Sequence, residues 1–377
     1  MPNRLIQSAI LFLFFLFMWG PALQKKFHLL PDYSLVENRQ KILHPKEWNL
    51  LFKSGGLYAR KYEEYYNDRY GFRDLFIRLK NQVDFVLFRQ SRQVVIGHEG
   101  WLFYKSVVEQ EQLYIEEAPD EAFETMYLRL GKLNRLLQRR GITLVILPCP
   151  MNNSVYPEML PATTARRPHP TGFERYREYL QAHPEILSLD PTPFLVRQKS
   201  EFNTYHKTDF HWTDPAGAYV ARDLVNLLAK QCRLGEIWNH PIQYRREFFT
   251  GGGENNSIGL LWPIRESYLL LDPTGIPTDT GEFQRTQEAN EWTYKTRQND
   301  PSRMLPTTVL FGDSFGDAFE RAGFAAYFNH LQKFYNYQFK EKFPHIPPGT
   351  RCGVLEHNVP FLNALLGNEI WPEEILQ

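Results

Sequence analysis

The chain has 377 residues, a formal net charge of zero from 43 basic and 43 acidic side chains, and 43% hydrophobic content. That length is ample for one large core, or for a core with a small second domain. The balanced charge gives no footprint for a nucleic-acid partner, and the apolar content excludes a disordered chain. Aromatic residues make up 15%, mostly 28 Phe and 20 Tyr, enough for sugar-binding surfaces as well as for core packing.

Residues 1–24 read as a membrane segment. Arg4 is the only charge before an apolar run from Ala9 to Trp19, and Leu5 to Leu23 gives nineteen mostly apolar positions. A helical span needs about 20. The expectation is an uncleaved signal anchor, because Gly20-Pro21-Ala22 is a poor cleavage site. A cleaved signal peptide is the alternative. Lys25 and Lys26 beyond the run weaken the positive-inside signal. Either reading exports the rest of the chain. Residues 25–60, punctuated by Pro31, Pro45 and Gly55-Gly56, read as a linker to one domain over 61–377. From Lys61 to Arg89, Phe72, Leu75, Phe76, Leu79, Val83, Val86 and Leu87 recur at three and four, which predicts a helix over a sheet.

Val94-Val95-Ile96 and Trp101-Leu102-Phe103-Tyr104 predict a hairpin across Gly97–Gly100. Residues 120–140 read as a helix with Phe123, Met126, Leu130, Leu133 and Leu137 on one side, stopped by Gly141. Ile142–Leu147 then reads as a buried parallel strand, the succession of an α/β domain with a mostly parallel sheet. Active sites of open α/β sheets collect at such strand ends. Asn152 and Asn153 are therefore candidates for holding substrate or an oxyanion, although turn asparagines ordinarily serve the backbone. Tyr156 is a candidate for the pocket rim within proline-rich 155–170. A helix over 172–183 and a short strand over Ile186–Leu189 follow, with Asp190 read as a turn or cap residue.

Two stretches carry chemistry. Thr307–Phe311 is apolar and β-branched, breaks at Gly312-Asp313, and reaches Ser314 before a helical continuation. A sharp strand-to-helix turn can hold a serine hydroxyl at the end of a sheet, beside unpaired helix N–H groups. Ser314 is the candidate nucleophile. It needs a base. His211, in Asp209-Phe210-His211-Trp212-Thr213-Asp214-Pro215, is the candidate, with Asp209 orienting its ring. Their spacing suits an extended segment. Thr213 or Asp214 caps the next helix, with Pro215 in its first turn. His206 is a rival base without that capped helix. Trp212 either stacks on a sugar or packs beneath the histidine. Alone, each motif is more often a turn or a structural or metal-binding element; their pairing points to catalysis.

These residues resemble the alginate O-acetylation proteins of Gram-negative bacteria, relatives of the SGNH hydrolases. The resemblance rests on Asp209-Phe210-His211-Trp212-Thr213 with Gly217-Ala218, and on Gly312-Asp313-Ser314-Phe315. Tyr70-Gly71-Phe72-Arg73, Gly97–Tyr104 and Val155–Pro161 also match, all in that family's order. It implies a three-layer α/β/α domain behind an N-terminal membrane helix, held in the periplasm at the inner membrane, or soluble there after signal cleavage. It also implies O-acetylation of an exported polysaccharide through Ser314, His211 and Asp209. The acetyl group would come from an upstream donor, such as a membrane-bound O-acyltransferase partner, with no cofactor or metal in the protein itself. The usual SGNH glycine and asparagine blocks are not recognisable, so the resemblance names no oxyanion donors. An O-acetylesterase and a noncatalytic polysaccharide-binding scaffold are the competing readings.

Residues 233–304, with Gly251-Gly252-Gly253, read as a long insertion above the sheet, including a strand at Ser267–Leu271. The glycine run lacks the lysine and hydroxyl residue of a nucleotide loop. After Ser314 the chain reads as a helix and then edge elements; Val354-Leu355-Glu356 resembles the short strand that follows the nucleophile region in that family, and Phe361–Leu366 reads as a last helix. Three cysteines, Cys149, Cys232 and Cys352, permit one disulfide in an oxidising compartment. The histidines show no zinc-type spacing.

Overall fold

The computed structural model describes residues 2–30, 35, 40–45, 55–111, 119–164, 170–250, 252–272, 282–286, 291–295 and 304–376. It divides into two compact units, Met1–Val94 with Gly251–Ile264, and Val95–Thr250 with Arg265–Gln377.

The first unit begins with α1 (Pro2–Phe27). Within it, Ile6–Phe27 is long and apolar enough to cross a membrane, and the segment runs past residue 24. Lys25 and Lys26 sit in its last turn, where a cation suits the carbonyl end of a helix. The helix predicted from residue 61 starts earlier and is broken. α2 spans Gly55–Asp68, a turn follows, and α3 spans Arg73–Val83. A π-helical turn, Asp84–Phe88, ends at Arg89 with a left-handed φ of 53°. No residue of α3 is buried. Its polar groups reach the later segment of the same unit: Asn81 Nδ2 donates to the Ile258 carbonyl at 2.8 Å, and Arg78 Nη1 to the Leu260 carbonyl at 2.6 Å. The first unit thus takes in α2 and α3 together with Gly251–Ile264. Pro31 and Gly251 lie outside the described residues.

The second unit holds the sheet. β1 (Val94–Ile96) and β2 (Leu102–Tyr104) form the expected hairpin. α4 (Asp120–Arg139) buries Phe123, Met126, Leu130, Leu133 and Leu137 on one stripe. Gly141 leaves it with φ of 71°, a conformation costly for any residue with a Cβ. β3 (Thr143–Pro148), α5 (Gly172–Ala182) and α6 (Asp214–Gln231) follow. Then come β4 (Tyr244–Thr250), β5 (Arg265–Leu271), β6 (Glu282–Thr286), β7 (Glu291–Lys295), β8 (Thr308–Gly312), β9 (His330–Tyr335), β10 (Cys352–His357) and α7 (Val359–Leu366).

The main sheet runs β3-β10-β8-β9-β7-β6. β3, β10, β8 and β9 are mutually parallel; β7 and β6 extend it antiparallel. β8 and β10 are buried at every position, which suits their apolar runs Val309–Phe311 and Val354-Leu355. α4 packs on β3 and α7; α6 packs on β5 and on the short helix Asp317–Arg321.

Three expectations change. Val354–Glu356 belongs to a central strand rather than to edge elements, because β10 inserts between β3 and β8. Ile186–Leu189 shrinks to a single bridge, Ile146 to Ser188. Residues 233–304 are only partly an excursion: β4 and β5 pair as a separate hairpin, while β6 and β7 widen the sheet itself. Residues 273–281, 287–290 and 296–303 of that stretch lie outside the described residues.

Candidate active site

β8 delivers Gly312 to the carboxyl edge of the sheet. Asp313 follows in an extended conformation, and its Oδ1 accepts the Phe315 N–H at 2.9 Å. This Asx-type cap starts a single 3₁₀ turn, Ser314–Gly316, which leads into the helix Asp317–Arg321. Ser314 is the first residue of that turn, where helical N–H groups lack internal acceptors.

His211 stands just before α6. The expected extended segment is instead a tight turn. Asp209 Oδ1 accepts the His211 backbone N–H at 3.0 Å and meets His211 Nδ1 at 2.6 Å. An aspartate binding its own backbone two residues on makes such a turn. One carboxyl oxygen thus fixes both backbone and ring. A carboxylate only accepts, so Nδ1 carries the proton and the Nε2 lone pair faces outward. Ser314 Oγ lies 2.7 Å from Nε2 and donates to it. The sequence-predicted Asp209, His211 and Ser314 are therefore joined in one hydrogen-bonded relay, across 103 residues of chain.

Trp212 locks the two segments together. Its indole is buried, and its N–H donates to the Phe315 carbonyl at 3.0 Å. The ring meets Phe315 edge-on at 4.9 Å and stacks on Phe319 at 5.5 Å. A Cβ on Gly217 would come within 2.4 Å of the Ala318 Cβ and 3.0 Å of the Trp212 indole nitrogen, so α6 approaches this closely only with glycine there.

The candidate substrate contacts are corrected. Trp212 is at 1% exposure and cannot stack on a sugar. Asn152 donates to the Leu102 carbonyl at 3.1 Å, tying the hairpin to the end of β3. Asn153 donates to Glu111, which also accepts Ser154 Oγ at 2.6 Å. Tyr156 accepts the Thr204 N–H at 2.9 Å and lies against Trp101 at 4.0 Å. All four side chains are buried and serve the protein itself. His206 is also away from the serine: its Nδ1 faces Glu266 Oε1 at 3.4 Å. Asp190 is a cap, accepting the Thr192 N–H at 2.9 Å and pairing with Arg177.

Sequence reading missed the layer beneath the Ser314 turn. Glu356, at the end of β10, is fully buried, and its Oε2 accepts the Asp313 N–H at 2.7 Å. Burial pushes its carboxyl well above the usual range, and the neighbouring Asp313 carboxyl adds to this. Cys149 donates its thiol to Glu356 Oε1 at 3.4 Å. Burial, then Glu356, push that thiol up, which makes it an inert hydrophobe rather than a nucleophile. Lys333, buried within β9, pairs with Asp317 at 3.1 Å, and Asn336 Nδ2 donates to Asp313 Oδ2 at 3.3 Å. The available signal was an acid directly after the apolar run of β10 and a lysine between Leu331 and Phe334 in β9.

Residues 94–248 match the SGNH hydrolase-like domain of the acetyltransferase AlgX. The chain carries an SGNH hydrolase-like domain. Its matched span holds Asp209 and His211, and Ser314 lies beyond it. The chain is also 28% identical over 241 residues to a probable alginate O-acetylase AlgJ of Pseudomonas aeruginosa, covering 62% of this chain and 56% of that one. It is 23% identical over 225 residues to the probable alginate O-acetylase AlgJ of Pseudomonas fluorescens, covering 59% and 55%. The chain thus spans a little over half the length of the curated relatives it matches. The O-acetyltransferase domain of Pseudomonas putida AlgJ superposes with a TM-score of 0.49 at 16% identity, over 75% of this chain and 97% of that one. Bacillus cereus PatB1 superposes at 0.48 and 14% identity, over 72% and 97%. The family resemblance read from the motifs is therefore met by the SGNH hydrolase-like domain match and the AlgJ relatives.

Proposed function

We propose that this protein is a polysaccharide O-acetyltransferase acting through an acetyl-serine intermediate. The observation that carries the reading is the relay from Asp209 Oδ1 through His211 to Ser314 Oγ, at 2.6 and 2.7 Å. Ser314 Oγ attacks the carbonyl carbon of an acetyl donor while its proton passes to His211 Nε2. The imidazolium, held by Asp209, gives that proton to the departing donor group, leaving acetyl on Oγ. A sugar hydroxyl then gives its proton to Nε2 and attacks the acetyl carbon. Collapse returns the proton to Ser314 Oγ and releases the acetylated sugar. The Ser314 N–H, at the start of the turn, is suited to bind the oxyanion in both halves.

The substrate class comes from the AlgJ relatives, whose names state alginate O-acetylation. The apolar segment Ile6–Phe27 favours a domain held at the inner membrane and facing the periplasm, where exported polysaccharide is found. A membrane-bound O-acyltransferase is the proposed source of acetyl. No cofactor is part of the scheme.

The test is acetyl transfer by the full-length protein in detergent, with an activated acetyl ester as donor and a panel of oligosaccharides as acceptors. Intact mass reads the acetyl-serine, and sugar acetylation reads the second step. Ser314→Ala should abolish labelling. Asp209→Ala should lose about 10⁴-fold, as loss of the aspartate does in serine-protease triads. Acetate release that no sugar alters would move the reading to an esterase, and full labelling of Ser314→Ala would overturn it.

A further inference from the structure

Glu356 is an acid in a place hostile to charge. It is the fifth residue of a six-residue strand buried at every position. The sheet register places it one step beyond the Leu355–Phe311 pair, and so beside Gly312. A Cβ on Gly312 would stand 2.3 Å from Glu356 Oε2, and one on Gly316 would stand 3.5 Å from it and 3.2 Å from Lys333 Nζ. The glycines flanking Asp313-Ser314-Phe315 thus leave room for these two side chains under the turn.

The charged and titratable groups around Glu356 come from every neighbouring strand end. Asp313 follows β8, Cys149 follows β3, Lys333 stands on β9, and Asp317 opens the helix after the turn. Burial, and then the neighbouring Asp313 carboxyl, raise the Glu356 carboxyl well above its usual range, against a smaller opposing pull from Lys333. Two ionised carboxylates held side by side out of water repel, and a proton on one of them relieves this and supplies a donor. Asp313 already accepts from Phe315 N–H and Asn336 Nδ2, the bonds of an ionised acid, which leaves Glu356 to carry the proton. Lys333 is satisfied by Asp317 at 3.1 Å and by the faces of Trp292 and Tyr335, at 5.5 and 5.6 Å.

We propose that Glu356 is a positioning residue for Ser314: a neutral carboxylic acid that accepts the Asp313 N–H, donates to the Asp313 carboxylate, and so fixes the turn that aims the serine at His211. The inference deepens the acetyl-serine reading and rests on it. Asp313 is held at both its amide and its side chain, and Ser314 is the next residue. A turn loosened there moves Oγ relative to Nε2, and a displacement of about 1 Å can cost about 100-fold in rate. Ionisation of Glu356 would set two carboxylates against each other, so the acylating form is the one with Glu356 protonated.

The experiment follows Ser314 acylation by p-nitrophenyl acetate in the full-length wild type, Glu356→Gln and Glu356→Ala, across pH, with unfolding curves alongside. A glutamine amide also accepts one hydrogen bond and donates another, so Glu356→Gln should retain the rate to within about threefold, while Glu356→Ala should lose about 100-fold with KM for the ester within about twofold. The wild-type rate should decline on the alkaline side as Glu356 ionises, and Glu356→Gln should hold its plateau there. A purely structural role would leave the two profiles alike. Should Glu356→Ala fail to fold, the paired profiles of wild type and Glu356→Gln decide. Wild-type acylation in Glu356→Ala, Glu356→Gln as slow as a folded Glu356→Ala, or identical alkaline profiles would overturn the inference alone. Label persisting in Ser314→Ala would overturn the acetyl-serine reading and this inference with it.

Discussion

The indole N–H of Trp212 donates to the carbonyl of Phe315 at 3.0 Å, so the residue after the histidine is bonded to the residue after the serine. Two segments distant in sequence are thereby registered by their immediate neighbours. Sequence reading offered packing beneath the histidine as one role for Trp212, and the bond adds a direct link to the nucleophile turn.

Trp212→Phe keeps an aromatic ring and removes this donor. The Phe315 carbonyl is then left buried without that partner, at a cost of about 1–3 kcal/mol. The expected outcome is a lower denaturant midpoint together with slower Ser314 acylation. Unchanged acylation in a destabilised protein would show that the bond serves folding alone.

Gly217→Ala tests the approach of α6 to the helix Asp317–Arg321. The new methyl would lie 2.4 Å from the Ala318 Cβ, so one helix must shift. Overpacking of this kind costs about 1–3 kcal/mol. Urea unfolding of the variant should show the loss, and Gly217→Ala with Ala318→Gly should recover part of it.

His357 sets an acid limit on stability. It is fully buried, its Nε2 lies 3.1 Å from the Tyr176 hydroxyl, and burial lowers its pKa from 6.5 to about 4. Between these values the unfolded chain binds a proton that the folded protein refuses. Stability is therefore complete above about pH 6.5 and falls as pH drops towards 4, by up to about 3 kcal/mol. Unfolding midpoints measured from pH 4 to 7.5 should show this slope, and His357→Gln should flatten it.

Cys232 and Cys352 lie with their sulfur atoms 3.8 Å apart, at the end of α6 and the start of β10. The hydrogen bond from Cys352 lowers the Cys232 thiol to about 7, so Cys232 is the one that ionises and attacks. Protein isolated from an oxidising compartment should carry this pair as a disulfide, two hydrogens lighter than the reduced form. Alkylation should reach both only after reduction, and Cys149 only after unfolding. Cys232→Ser should then lower stability by about 2–4 kcal/mol.

The relay was legible because its chemistry is local. Asp209 and His211 are two residues apart, and Ser314 follows an apolar strand that ends in glycine. The parallel sheet was legible in the same way, from helix stripes followed by apolar runs. The polar layer below was not. Glu356 and Lys333 sit one to a strand, and a single charge in a strand does not say whether it faces solvent or another charge inside. Asn152 and Asn153 failed for a related reason. An asparagine at a strand end looks the same whether its amide meets a ligand or, as here, the Leu102 carbonyl and Glu111. The early helices misled because α3 has a clear apolar period yet buries none of its residues.

β10 is nearly the last element of the chain, yet β3 and β8 meet only through it. Synthesis runs from the N-terminus, and Ser314 is complete 42 residues before Glu356. Ser314 is therefore synthesised before the strand that underpins its turn. Until Cys352–His357 slides between its two neighbours, β8 has no partner on that side and the serine turn has no floor. Under the proposed acetyl-serine mechanism, acylation would therefore have to wait until β10 is in place.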